Sequence, residues 1–263
     1  MILAMSLGNT NLIIAVKKGN KLCTKRSLIA KIDSKEACVS VVAQFLNEID
    51  LKNSDITGAA ISSVVKNNEL VYDAVSDLFG ITPLIVNAQM NMRLDLSNYD
   101  TALIGADRIA VCSAAIVKYD LPAVVFDFGT ATTVNVIDER GCFLGGAILP
   151  GVMMGLNALA NDTTLLPIFD DSPMISPIIG KNTAECMAAG ALFGNAAMLD
   201  GMTLRIESEI GCKPGKISVI ATGGGASHIM RLCRRQVTHD AELLVEGLFE
   251  LYRLHNTDIM QIC

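Results

Sequence analysis

The sequence predicts an α/β protein of two duplicated halves, residues 1–120 and 121–263, each a mixed sheet with helices, facing a central cleft. Three observations lead there. A chain of 263 residues is long enough for two compact domains, and 51% hydrophobic with 18% charged residues describes a filled core, which excludes disordered and coiled-coil classes. Apolar, β-prone runs alternate with segments of helical period. Finally, the turn Ser6-Leu7-Gly8-Asn9-Thr10-Asn11, closing one strand and opening the next, returns after Pro122 as Asp127-Phe128-Gly129-Thr130-Ala131-Thr132. Duplication explains this economically, although a repeat this short also arises by chance.

The elements follow in order. Residues 2–7, 11–17 and 21–28 are apolar runs around Gly8-Asn9-Thr10 and Gly19-Asn20, the pattern of a three-stranded antiparallel meander. Ser34 caps a helix to about Ile49, with Val39, Val42, Phe45, Leu46 and Ile49 on one face. Ile56 to Val65 begins as a buried strand, Asn68 to Phe79 is a helix ended by Gly80, and Leu84 to Val86 is a short strand. A polar segment leads to Gly105 and a helix to about Tyr119. In the second half, Ala123 to Phe126 is a strand, and 134–138 and 142–147 form a hairpin around Glu139-Arg140-Gly141. Ile217 to Ala221 is a strand whose Gly-rich end opens a helix.

Charge and composition narrow the function. Twenty-one Lys and Arg against 27 Asp and Glu give a net charge of −6, without the basic footprint of a nucleic-acid partner. The longest uncharged stretch, Gly141 to Asn161, is interrupted by five further residues, Gly145, Gly146, Pro150, Gly151 and Gly155, and reads as strand, turn and helix start rather than a membrane span. Met1 to Val16 has no basic residue ahead of its apolar run, a poor signal peptide. The expectation is a cytoplasmic protein without a membrane partner. Eight cysteines, none within four residues of another, and three histidines show no zinc, CxxC or HExxH spacing, so the cysteines read as core residues or free thiols.

Chemistry concentrates in a few turns. A Gly-centred turn between strands points backbone amides and hydroxyls into a small concavity suited to phosphate oxygens. The first turn offers Gly8, Asn9 and Thr10; the second offers Gly129, Thr130, Thr132 and Thr133, with Asp127 able to hold a cation directly or through water. Ordinary hairpins would use the same polar residues simply to satisfy their turns. Thr222-Gly223-Gly224-Gly225-Ala226 has strand–turn–helix geometry but neither GxGxxG spacing nor a Walker lysine, and serves equally as close packing or as nucleotide contact. In Gly105-Ala106-Asp107-Arg108, Asp107 is either a helix-start carboxylate or a base that takes a proton from an attacking hydroxyl, with Arg108 beside it binding substrate or phosphate.

These residues together resemble the type III pantothenate kinases of the acetate kinase/sugar kinase/Hsp70/actin superfamily. The resemblance runs nearly the whole length, through Leu7-Gly8-Asn9-Thr10-Asn11, Gly105-Ala106-Asp107-Arg108, Asp127-Phe128-Gly129-Thr130-Ala131-Thr132-Thr133, Gly145 to Gly151, Thr163 to Pro167, Ile179 to Thr183, Thr222-Gly223-Gly224 and Glu246-Gly247-Leu248, in the family's order. It implies two ribonuclease-H-like (actin-like ATPase) halves and ATP-dependent phosphorylation of pantothenate, the first step toward coenzyme A. By the same resemblance Asp107 is the proton acceptor and Gly105, Ala106, Asp107 and Arg108 line the pantothenate site. ATP binding falls to Ser6, Leu7, Gly8, Asn9, Thr10, Asn11, Leu12 and Ile13 on the first phosphate loop and to Thr130 on the second. Asp127 binds a monovalent cation, potassium or ammonium, Mg accompanies ATP, and Thr183 contacts pantothenate across a homodimer interface.

The chain departs from the family pattern twice. Ser6 stands where the family has an Asp at the head of the first loop; a hydroxyl brings no charge and holds a divalent cation weakly. Loss of one strong transition-state contact costs roughly 3–4 kcal/mol. The segment ahead of Gly105 lacks the family's Asn-Pro, and Tyr99 matches its substrate-contacting Tyr only with a one-residue shift. Ser6 therefore also admits a non-catalytic relative that binds nucleotide or pantothenate in a regulatory role.

Overall fold

The computed structural model describes residues 1–65, 68–175 and 177–262, with side chains to residue 257; Cys263 lies outside the described residues. Contacts divide the chain into two units, Met1–Leu96 with Asp100–Ala114 and Leu243–Cys263, and Ser97–Tyr99 with Ala115–Glu242.

The first unit opens with the expected meander, β1 (Ile2–Leu7), β2 (Asn11–Lys18) and β3 (Lys21–Leu28). Helix α1 (Lys35–Glu48) starts where the Ser34 side chain accepts the Ala37 N–H at 3.1 Å, a cap worth about 1 kcal/mol. Strand β4 (Gly58–Ser63) runs parallel to β1, setting Ser62 beside Ser6 and Ser63 beside Leu7. Helix α2 (Glu69–Phe79) ends at Gly80, whose φ of 67° is the left-handed conformation a helix stop favours. The two-residue β5 (Leu84–Ile85) completes the order β3-β2-β1-β4-β5, and α3 (Ala106–Lys118) follows. Alternation sorts the faces. Leu3, Met5, Leu7, Leu12, Ile14 and Ile61 pack with Phe45 and Leu46 of α1 and Val71 and Val75 of α2.

The second unit repeats this plan. Strands β6 (Ala123–Phe128), β7 (Ala131–Ile137) and β8 (Phe143–Pro150) form an antiparallel meander. Helices α4 (Val152–Asn161) and α5 (Thr183–Glu209) follow, then β9 (Ser218–Thr222), the four-residue α6 (Ala226–Ile229) and β10 (Thr238–His239). The order β10-β9-β6-β7-β8 is the first sheet's order traced backwards, again with later strands joining the first meander strand in parallel. The two mixed five-stranded sheets are thus the duplicated α/β halves that the repeated turn predicts.

Some boundaries differ from the sequence reading. Strand β7 begins at Ala131, inside the motif, because Thr132 and Thr133 pair with Phe128 and Asp127. The last helix, α7 (Leu243–Ile262), falls beyond the division at residue 120 yet belongs to the first unit. Gly58 of β4 leaves room for the Tyr252 ring, and Gly247 rests on the Ala110 backbone of α3, contacts that any Cβ would obstruct.

Candidate active site

The first unit supplies a turn and a helix start. Ser6 lies near the end of β1, opposite Ile13 and beside Ser62, and is buried. Leu7 and Leu12 are core residues, so their contribution to any ligand is backbone. The Gly8 N–H closes the turn on the Asn11 carbonyl at 2.9 Å, leaving Asn9 and Thr10 exposed at its tip, while Asn11 and Ile13 are half-buried in β2. The Ser62 hydroxyl beside Ser6 is buried without a hydrogen-bond partner. Such a group is costly in an apolar interior and gains when a partner arrives.

Close by, β4 hands the chain on at Val64, whose N–H bonds the Leu7 carbonyl at 3.1 Å. Gly105 lies next to Val64 and leaves no room for a Cβ beside the Asp107 carboxylate. Asp107, in the first turn of α3, accepts the Arg108 N–H at 2.8 Å. Burial pushes its carboxyl above the ordinary range, against the opposing pull of the Arg108 amide and guanidinium. Ala106 and Arg108 are buried. A half-buried carboxylate with a raised proton affinity suits a base better than a solvated helix cap does.

The second unit supplies the other turn. Gly129 and Thr130 are exposed at the β6–β7 tip, and the Thr130 carbonyl accepts the Gly151 N–H at 3.1 Å, seating the start of α4 on the loop. Asp127 is half-buried opposite Thr133. The Gly-rich turn after β9 packs directly behind it: Gly225 donates its N–H to the Phe128 carbonyl at 3.0 Å, and Gly223, at φ 86°, lies against the Asp127 carboxylate and the Phe128 backbone. Between the two uses open to these glycines, the geometry displays close packing, and a four-residue α6 offers no developed helix terminus.

Tyr99 meets Phe143 edge-on at 4.9 Å, with Gly145 giving space to its ring. Thr183 is exposed at the start of α5, where the Asn182 side chain accepts the Glu185 N–H and donates to its carboxylate, each at 2.9 Å. It lines a largely apolar cavity of about 420 Å³ between α4 and α5 with Leu156, Leu166, Cys186 and Met187. The structure therefore groups Ser6 to Ile13 with Gly105 to Arg108 in one unit, and Tyr99, Asp127, Thr130 and Thr183 in the other.

A family model described as type III pantothenate kinase matches residues 2–205. The chain belongs to the type III pantothenate kinase family. Relatives named type III pantothenate kinase from Listeria innocua and Bacillus cytotoxicus are 36% and 33% identical, over 96% of this chain and 97% and 95% of theirs. Among solved structures, a Campylobacter jejuni protein assigned to the Baf family of transcriptional activators has a TM-score of 0.58 at 18% identity, covering 97% of this chain and 99% of that one. The activator of 2-hydroxyisocaproyl-CoA dehydratase from Clostridium difficile, solved with bound ADPNP, has a TM-score of 0.51 at 10% identity, covering 98% and 97%. These two share the fold with this type III pantothenate kinase.

Among the described residues no three His, Cys, Asp or Glu side chains cluster as a metal site, and no helix is long and apolar enough to cross a membrane. For a monovalent cation the donors fit: one half-buried carboxylate, Asp127, opposite Thr133 in the β6–β7 pair, with Gly223 packed against it. For a stripped divalent ion in the first unit they do not, since Ser6 and Ser62 bring only hydroxyls. The sequence reading missed Asn135, a fully buried amide in β7 of this type III pantothenate kinase whose Nδ2 donates to Thr133 Oγ1 at 3.1 Å. Its signal was present: a lone amide between Val134 and Val136.

Proposed function

We propose that this type III pantothenate kinase transfers the γ-phosphoryl group of ATP to the primary hydroxyl of pantothenate, giving 4′-phosphopantothenate for coenzyme A synthesis. The carrying observation is Asp107, a half-buried carboxylate at the start of α3 whose proton affinity burial raises. In the proposed step the pantothenate oxygen attacks the γ-phosphorus, the bond to the ADP oxygen breaks, and the hydroxyl proton passes to Asp107. Gly105 to Arg108 position the acceptor, Arg108 supplying fixed positive charge. The amides and hydroxyls of Ser6 to Ile13 and of Thr130 hold ATP phosphates. Magnesium bound to ATP would be held mainly by phosphate oxygens and water and would supply neutralisation of their charge.

Asp127 is the proposed ligand of potassium or ammonium. Tyr99 and Thr183 are proposed pantothenate contacts, Thr183 from the partner of a homodimer. Large apolar side chains left exposed in the segment that leads to Thr183, Leu165, Ile168, Met174, Ile178 and Ile179, support a covered surface on that segment. Free thiols at the seven described cysteines suit the reducing cytoplasm as the setting. The curated relatives described above carry kinase names, and no observation favours the regulatory alternative. The test is ADP release by the purified protein with MgATP and potassium, with and without pantothenate. Pantothenate-dependent release with phosphopantothenate identified by mass supports the reading; a folded protein that binds both ligands yet releases no ADP overturns it.

A further inference from the structure

We propose that Asn135 is a positioning residue of the second phosphate loop, its carboxamide orienting the Thr133 hydroxyl so that the hydroxyl proton is presented beside Asp127 toward the ATP phosphates. This rests on the reading of that loop given above. Side chains two positions apart on a strand share a face, so Asn135 and Thr133 lie together. The register sets Thr133 opposite Asp127 and Asn135 opposite Val125. On the other face Val134 and Val136 join the core with Phe126 and Phe128. Asn135 is wholly buried, whereas Thr133 and Asp127 are half-buried. One line of polar side chains thus runs from the interior to the loop.

The hydrogen bonds give that line a direction. Asn135 Nδ2 donates to Thr133 Oγ1 at 3.1 Å and, more weakly, to the Val125 carbonyl at 3.4 Å. A hydroxyl has one proton and two lone pairs; with one lone pair engaged by the amide, the proton must turn to another acceptor. The acceptors the reading places there are the Asp127 carboxylate and the phosphate oxygens, and a hydrogen bond to a charged acceptor is among the stronger kinds. An amide in an apolar strand costs desolvation that a valine would avoid, so its presence needs a task beyond filling space.

The experiment compares Asn135→Leu, Thr133→Val, Thr133→Ser and the double variant Asn135→Leu/Thr133→Val in the whole protein. Asn135→Leu and Thr133→Val are each expected to lower kcat/KM for ATP about tenfold, with KM for pantothenate unmoved, and Thr133→Ser to restore most of it. Because the amide acts through the hydroxyl, the double variant should be no worse than the poorer single one. Multiplying losses, or losses shared equally between ATP and pantothenate, overturn the inference. If Asn135→Leu does not fold, the threonine pair decides: a Thr133→Val enzyme equal to wild type overturns it. Asp127→Asn separates the two levels. A Thr133→Val enzyme equal to wild type beside an Asp127→Asn enzyme defective with ATP overturns this inference alone, whereas wild-type behaviour in both removes the loop assignment as well.

Discussion

Gly223 lies against Asp127 so closely that a β-carbon at 223 would overlap the carboxylate oxygen, and its φ of 86° is one that residues with side chains rarely adopt. The turn after β9 therefore fixes the space around the proposed cation ligand from behind. Gly223→Ala is expected to cost about 2 kcal/mol through backbone strain alone, and to displace Asp127 as well. Thermal unfolding reads the first effect. The second appears as a higher potassium concentration for half-maximal turnover; an unchanged potassium requirement would separate Gly223 from the cation.

Asp107 yields a prediction in which activity and stability move oppositely. Asp107→Asn removes the proposed proton acceptor, and turnover should fall by about 10²–10⁴ while ATP binding persists. Burial holds the native carboxyl above its ordinary value of 3.8. The folded chain then binds this proton more tightly than the unfolded chain, so the ionised group costs stability as the pH rises through the native value. Asparagine carries no such cost. The variant should be more stable than wild type at pH 7, the difference vanishing below the ordinary value of 3.8. The wild-type rate should fall with acid at a higher pH than an ordinary carboxylate gives. Chemical denaturation at several pH values and a pH–rate profile check both arms.

Ser6 stands beside Ser62, whose buried hydroxyl has no hydrogen-bond partner. Ser6→Asp restores the carboxylate that the family pattern expects and places it next to a donor in need of an acceptor. The expected outcome is a lower magnesium requirement and about tenfold higher turnover, the size of one improved charged contact. Turnover titrated with magnesium at fixed ATP measures it. A variant that is no faster at any magnesium concentration would show that the hydroxyl pair already serves the site.

What was legible in the sequence, and what was not, divides along physical lines. Elements that carry local signals were plain: the meander from Ile2 to Leu28, α1 with its Ser34 cap, and α2 with its Gly80 stop. The 27 residues of α5 carried little beyond the Asn182 cap, because its buried stripe, Leu192, Ala196, Leu199, Thr203 and Glu207, mixes small and polar residues with leucines while Leu204 lies exposed. The placement of α7 in the first unit was equally silent, since Gly58–Tyr252 and Gly247–Ala110 are long-range contacts with no local pattern. At the site, the turns proposed to hold phosphate and the proposed base Asp107 were singled out by residue type alone. The Ser6–Ser62 neighbourhood and the Asn135–Thr133 bond depend on strand register and hydrogen-bond geometry, which only folding supplies.

The Asp127 assignment predicts a selective cation response. A single carboxylate suits an ion that sheds its water readily. Turnover should therefore fall severalfold when potassium or ammonium is replaced by sodium at equal ionic strength, and Asp127→Asn should remove that selectivity. Steady-state rates in the three chloride salts provide the measurement, and equal rates in all three would remove Asp127 as the cation ligand.

The last prediction concerns stability away from the site. Glu207 of α5, only 1% exposed, accepts Arg235 Nη2 at 3.2 and 3.0 Å and the Gly215 N–H at 2.8 Å. Asp200, two turns earlier on the same helix face, accepts the Arg234 and Arg235 N–H groups at 2.9 and 3.3 Å. Together they fasten the segment before β10 to α5. Arg235→Met deletes one partner and leaves the Glu207 charge buried, which should cost about 3–5 kcal/mol in urea unfolding. The double variant Arg235→Met/Glu207→Gln removes both charges and should recover part of that loss, because an uncompensated buried charge is more costly than an absent pair. The Lys35–Asp77 pair, exposed on both sides, is the control: water screens it, and Lys35→Ala should leave the urea midpoint unchanged. If Arg235→Met behaves like that control, solvent already reaches Glu207 and the clamp contributes nothing.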